Sequence, residues 1–208
     1  MNCITLNNIS KKYTGNWLFK NISLQVNANE SLAITGFNGS GKSTLLKIIS
    51  GYTIPSSGTL TYNIDGNYVA VEQVYKYVSY AAPYLDLIDD FTLLENITFY
   101  SKFKNFRNNI TAEQLIQLAF LEGSEHKQVK FFSSGMKQRL KLSLAILAET
   151  PILLLDEPLA NLDSKGFEWY ASLTKNYLNN RICIVCSNNT KDETTFCNAT
   201  LNVEDYKK

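Results

Sequence analysis

The chain has 208 residues and a formal net charge of +1, so no broad field argues for nucleic acid or an anionic membrane surface as partner. A hydrophobic share of 45% supplies a core for one globular domain, or one with an inserted subdomain, while no apolar run reaches the roughly 18–20 residues of a membrane span. Met1-Asn2-Cys3-Ile4-Thr5-Leu6 lacks the regions of a secretory leader, and four cysteines make no disulfide framework at this length, so a cytoplasmic location is expected.

In chain order, residues 3–13 alternate loosely through Ile4, Leu6 and Ile9, and residues 21–27 alternate cleanly through Ile22, Leu24 and Val26. Both read as antiparallel strands, joined by a segment that carries Tyr13 and Trp17. Ser31–Thr35 reads as a short buried strand. The stretch Gly36-Phe37-Asn38-Gly39-Ser40-Gly41-Lys42-Ser43-Thr44 follows and fills every fixed position of the pattern G-x-x-x-x-G-K-[ST]. Its glycines let backbone N–H groups turn inward around anionic oxygens. Lys42 can reach the β- and γ-phosphates of a nucleotide, and Ser43 offers a hydroxyl to Mg²⁺. Ser43–Ile49 reads as a helix whose N-terminus faces those phosphates. An aromatic ring just ahead of such a loop could stack on a base; Tyr13 is the first candidate and Trp17 the second.

Beyond the helix, 51–58 is turn-rich. Leu60-Thr61-Tyr62 and Tyr68-Val69-Ala70-Val71 flank a hairpin at Asp65-Gly66-Asn67, and Tyr77–Ala82 reads as a strand ended by Pro83. Residues 84–148 turn helical. Thr92 with Glu95, and Thr111 with Gln114, form capping boxes, and Met136, Leu140, Leu144 and Leu147 define one helix face. His126 falls in a polar loop. Ile152–Leu155 suits a strand buried on both faces, with Asp156 and Glu157 at its C-terminal end. Asp163 or Ser164 caps a helix with a stripe at Phe167, Tyr170, Ala171, Thr174 and Leu178. Arg181–Cys186 is expected to be the last core strand, with a frayed polar tail from Glu204. Cys183 and Cys186, three apart on that strand, point to opposite faces and cannot share a metal. The expected fold is α/β. A P-loop core with a parallel sheet (1–83 and 149–208) carries an N-terminal antiparallel part and an inserted helical subdomain (84–148).

A phosphate loop needs a second Mg²⁺ ligand and a group to handle attacking water. Asp156, at the end of a buried strand, suits the first role. Glu157, beside it, suits the second. Further along, Phe132-Ser133-Ser134-Gly135-Met136-Lys137-Gln138-Arg139-Leu140 opens a helix, which makes Ser133 and Gly135 a second anion site. This stretch resembles the signature of the ATP-binding cassette (ABC) ATPases, with Ser134 and Met136 as variants. The order of motifs resembles that family over essentially the whole chain, including Leu159-Ala160-Asn161-Leu162-Asp163, which looks like its D-loop.

The resemblance implies an ATPase whose two copies, identical or related, lie head to tail. Each Mg-ATP is then clamped between one phosphate loop and Ser133, Ser134 and Gly135 of the other copy. It implies a membrane permease as partner, docked near Pro83–Phe91, no nucleic acid, and a place on the inner face of the membrane. The short length looks more like compact exporter-type ATPases than longer importer subunits. Soluble assembly ATPases and a nucleotide-gated scaffold are the competing classes. Two departures bear on turnover. Pro83 stands where the family usually carries a glutamine, and Asn188 where it carries a histidine. ATP binding is expected intact and hydrolysis slow.

Overall fold

Two sheets of different kind organise the chain. The computed structural model describes residues 2–188 and 191–207. Strands β1 (Cys3–Tyr13) and β2 (Asn16–Asn27) pair antiparallel, with Ile4 opposite Val26 and Leu6 opposite Leu24. β2 begins at Asn16, earlier than its alternation indicates, because Thr14 (φ 44°) and Gly15 (φ 87°) make a two-residue turn whose twist suits a hairpin. Tyr13 and Trp17 therefore lie on paired strands rather than in a connecting loop. After β3 (Ser31–Thr35) and α1 (Lys42–Ile49), β4 (Ser57–Ile64) pairs with the other side of β1, and β5 (Asn67–Val69) with β4. β5 stops short of the expected Val71. The Gln73 N–H closes on the Ala70 carbonyl, and a 3₁₀ turn over Val71–Lys76 buries Val74.

The second sheet is parallel. It contains β3, β6 (Val78–Ala81), β7 (Ile152–Asp156), β8 (Ile182–Cys186) and β9 (Ala199–Asn202), in the order β6-β7-β8-β3-β9. β8 is thus the central strand, not the last. β9 adds to the far side of β3 and escaped notice because Leu201 is its one buried residue. The tail is not frayed through the described residues. Val203–Tyr206 forms a 3₁₀ turn, Val203 is fully buried and Tyr206 packs on the core. Lys208 lies outside the described residues.

The helices follow their caps. Both capping boxes form, at the starts of α2 (Leu93–Ser101) and α3 (Ala112–Leu118). Helix α4 (Ser134–Leu147) buries Leu140, Leu144 and Leu147. Helix α5 (Ser164–Tyr177) is capped by Asp163, whose Oδ1 accepts the Gly166 N–H at 2.8 Å. Its buried face is Trp169, Tyr170, Leu173 and Thr174, and Ala171 is exposed. The buried stripe thus includes Trp169 and Leu173 in place of Ala171, and the Trp169 indole N–H donates to the Leu118 carbonyl at 2.6 Å. A short helix α6 spans Lys191–Thr194.

The period-2 alternation of β7 and β8 divides two cores. Leu154, Ile184 and Cys186 face a core shared with α1 and the antiparallel sheet. Leu155, Cys183 and Val185 face one beneath α2–α5. Cys183 and Cys186 therefore sit in different cores, both as free thiols. The buried Arg181 guanidinium donates to the Ile146 carbonyl at 2.6 Å, Ser79 Oγ at 2.8 Å and Thr150 Oγ1 at 2.7 Å. It ties the C-terminal end of α4 to the sheet, and burial pushes its pKa down to about 10. No helix among the described residues is long and apolar enough to cross a membrane.

Candidate nucleotide site

The phosphate-binding pattern sits between β3 and α1. Gly41 is the N-cap of α1 at φ 111°, and a Cβ there would lie 2.8 Å from Leu18 Cγ, so glycine is required twice over. The first turn of α1 has no acidic residue and no side-chain cap, leaving its N–H end available to an anion. The Lys42 ammonium is buried and donates to the carbonyls of Gly36 at 2.8 Å and Phe37 at 3.2 Å, which fixes it across the loop. Asn38, Gly39, Gly41, Lys42, Ser43 and Thr44 line a cavity of about 170 Å³ together with Leu18 and Glu157. Ser40 is buried behind it, and its Oγ has no hydrogen-bond partner among the described residues.

Strand β7 delivers the two carboxylates differently. Asp156 is buried, and neither carboxylate oxygen has a hydrogen-bond partner of normal geometry among the described residues. Burial raises its pKa, the Ser43 hydroxyl partly offsets that, and the Glu157 charge adds to it. Glu157 turns out of the strand at φ 47°, a strained value for a non-glycine residue. Its N–H donates to the Cys186 carbonyl at 2.9 Å, and its carbonyl accepts the Ala160 N–H at 3.1 Å. Glu157 Oε1 accepts a 2.7 Å hydrogen bond from Asn188 Nδ2. The Asp156–Cys186 pairing brings these two distant residues together.

Ser133 caps α4, its Oγ accepting the Met136 N–H at 3.2 Å, and Ser133 and Ser134 are exposed. A side chain at Gly135 would begin 3.3 Å from the Asn161 carbonyl, so Gly135 lets the two segments touch. Gln138 Nε2 donates to the Pro158 carbonyl at 2.8 Å, tying the signature helix to the residue after Glu157. None of Ser133, Ser134 and Gly135 lines the phosphate cavity of its own chain.

The family model described as ABC transporter matches residues 19–160. The chain belongs to the ABC transporter family. It is 34% identical over 167 residues to the spermidine/putrescine import ATP-binding protein of Spiroplasma citri, covering 79% of this chain and 47% of that protein. The chain spans about half the length of the curated relatives it matches. A putative ABC transporter ATP-binding protein from Pyrococcus furiosus superposes with TM-score 0.81 at 18% identity, over 98% of each chain. An ATP-binding cassette solved as a dimer in a post-hydrolysis state, with ADP and Pi, superposes with TM-score 0.77 at 24% identity, over 96% of this chain and 93% of that one. The two superpositions show the ABC ATPase fold.

Three candidate residues of this ABC chain, Tyr13, Trp17 and Asn188, fall outside the matched stretch. Tyr13 is 51% exposed at the end of β1, under the Lys11 ammonium 5.0 Å from its ring centroid, and does not line the phosphate cavity. Trp17 is 40% exposed beneath Lys12 and Lys20. Sequence reasoning gave no role to Leu18 or Tyr80, and placed Tyr84 only within the expected docking segment Pro83–Phe91. No motif marks Leu18. The Tyr80 and Tyr84 hydroxyls hydrogen-bond to each other. Burial raises both their pKa values, that of Tyr84 to about 12. Tyr84 and Leu85 also wall an apolar cleft of about 460 Å³ with Tyr52 and Tyr75, and all four are exposed.

Proposed function

We propose that this chain is the ATP-binding and ATP-hydrolysing subunit of an ABC transporter. The observation that carries the reading is the cavity where the phosphate loop and Glu157 meet, beside the unpartnered Asp156 carboxylate. The α1 N–H groups and Lys42 bind the phosphates. Ser43 and Asp156 fit Mg²⁺, because a buried anionic oxygen without a hydrogen-bond partner calls for a cation. Bound Mg²⁺ supplies charge neutralisation at the phosphates. Glu157, held by Asn188, accepts a proton from the attacking water. Tyr13 stacks on the adenine. Pro83 and Asn188, in place of the family's glutamine and histidine, make turnover slow.

Ser133, Ser134 and Gly135 stand away from their own phosphate loop and serve the nucleotide of a second ABC chain, identical or related, docked head to tail. Residues 84–148 act as the helical subdomain that carries them. The apolar cleft at Tyr52, Tyr75, Tyr84 and Leu85 receives a cytoplasmic segment of a membrane permease, which places the chain on the inner face of the membrane. The named activity of the Spiroplasma relative makes polyamines a cargo class to test. Lys42→Ala tests the binding half of the proposal. ATP affinity, measured by calorimetry, is expected to fall about 10–100-fold, the loss of one or two charge-assisted contacts. Unchanged affinity would remove the phosphate loop from the account.

A further inference from the structure

We infer that Tyr80 and Tyr84 form a hydroxyl pair that serves the metal side of the nucleotide site, where Pro83 provides no donor; this rests on the ATP reading above. Strand register sets the geometry. Tyr80 pairs with Leu154 across the parallel ladder, so Tyr80, Leu154 and Asp156 project from one face. Leu154 belongs to the core on the α1 side, and Tyr80 packs against it. Helix α1 presents Ser43 and Lys47 on that same side. The Asp156 charge acts on both tyrosine hydroxyls.

The chain returns past Pro83 so that the Tyr84 hydroxyl meets that of Tyr80, with rings edge to face at 6.3 Å and 82°. The Lys47 ammonium, 3.9 Å from the Tyr84 ring centroid, holds that ring by a cation–π contact. Each phenol carries one proton. One is spent in the mutual bond. The other remains to be donated to an anionic oxygen, and the Asp156 carboxylate presents two without partners of normal geometry. Among the described residues the pair bonds only to itself and not to Asp156. Its remaining proton is available on the Asp156 side once the anionic oxygens of a nucleotide enter, and the two tyrosines act there as positioning residues. A proline at 83 has neither a side-chain donor nor an N–H for this task.

Tyr80→Phe and Tyr84→Phe keep both rings and remove one hydroxyl each. The full chain is titrated with the non-hydrolysable analogue AMP-PNP at stepped Mg²⁺ concentrations and in EDTA, with melting temperature as the folding control. Each variant is expected to need about tenfold more Mg²⁺ for half-maximal binding, the worth of one hydrogen bond to a charged group. Affinity in EDTA is expected to stay at the wild-type value, and the double variant to be no worse than either single one, because the two hydroxyls act as a unit. Mg²⁺ dependence within twofold of wild type in both variants overturns the inference. So does an equal loss with and without Mg²⁺, which marks a packing effect. A wild type without Mg²⁺-dependent binding overturns the parent reading and this one with it.

Discussion

Glu157→Gln is expected to lower steady-state ATP hydrolysis by roughly 10²–10⁴-fold, the usual worth of a positioned general base, with ATP affinity little changed. The glutamine keeps the shape of the side chain and can still meet Asn188. It loses the carboxylate that, in the proposed role, takes the proton from water. Glu157 holds a left-handed φ of 47°, clamped by the Cys186 and Ala160 backbone bonds. Oε1 is engaged by Asn188 at 2.7 Å, which leaves the other oxygen for water. Phosphate release under saturating Mg-ATP checks this, with calorimetric affinity measured in parallel. A variant hydrolysing at the wild-type rate would strip Glu157 of its role.

Asp156→Asn is expected to change two properties in opposite directions. Hydrolysis is expected to fall at least about 100-fold, because the proposed Mg²⁺ ligand is lost. The unliganded protein, however, melts higher than wild type, by about 2–4 °C for each kcal/mol recovered. The sign follows from the raised pKa, caused chiefly by burial. A carboxyl that titrates higher in the folded chain than in the unfolded one favours folding only when protonated. That contribution is complete below the ordinary aspartate value of 3.8 and is lost as pH rises through the folded value. Above 3.8 the burial of the charged form therefore opposes folding, and a neutral isostere removes that penalty. Thermal melts at pH 7, with and without Mg-ATP, separate the two effects. Wild type should gain more from the ligand than the variant does.

The placement of the glycine-rich loop between β3 and α1, and of Asp156 at the end of a buried strand, was legible because each follows from local residue pattern. A Cβ at Gly41 would meet Leu18, and Lys42 bonds across the loop. Both capping boxes were legible because a cap is a local contact, Thr92 with Glu95 and Thr111 with Gln114. The misplacements came from non-local terms. β9 is a strand only because β3 offers it an edge; its own four residues contain one buried side chain. The buried face of α5 is the periodic set Gly166, Trp169, Tyr170, Leu173 and Thr174, which sequence reading missed in part because Trp169 is buried with its indole N–H bonded to the Leu118 carbonyl. The Tyr80–Tyr84 pair depends on a chain reversal after Pro83 that no motif announces. The meeting of Asn188 with Glu157 depends on the register of β7 against β8.

The central claim is that each triphosphate pocket is built from two chains. Light scattering of the Glu157→Gln protein, which holds ATP without consuming it, tests this most directly. The account predicts a molar mass that doubles on adding Mg-ATP and returns to the monomer value with Mg-ADP. A monomer mass at every concentration of Mg-ATP would contradict it.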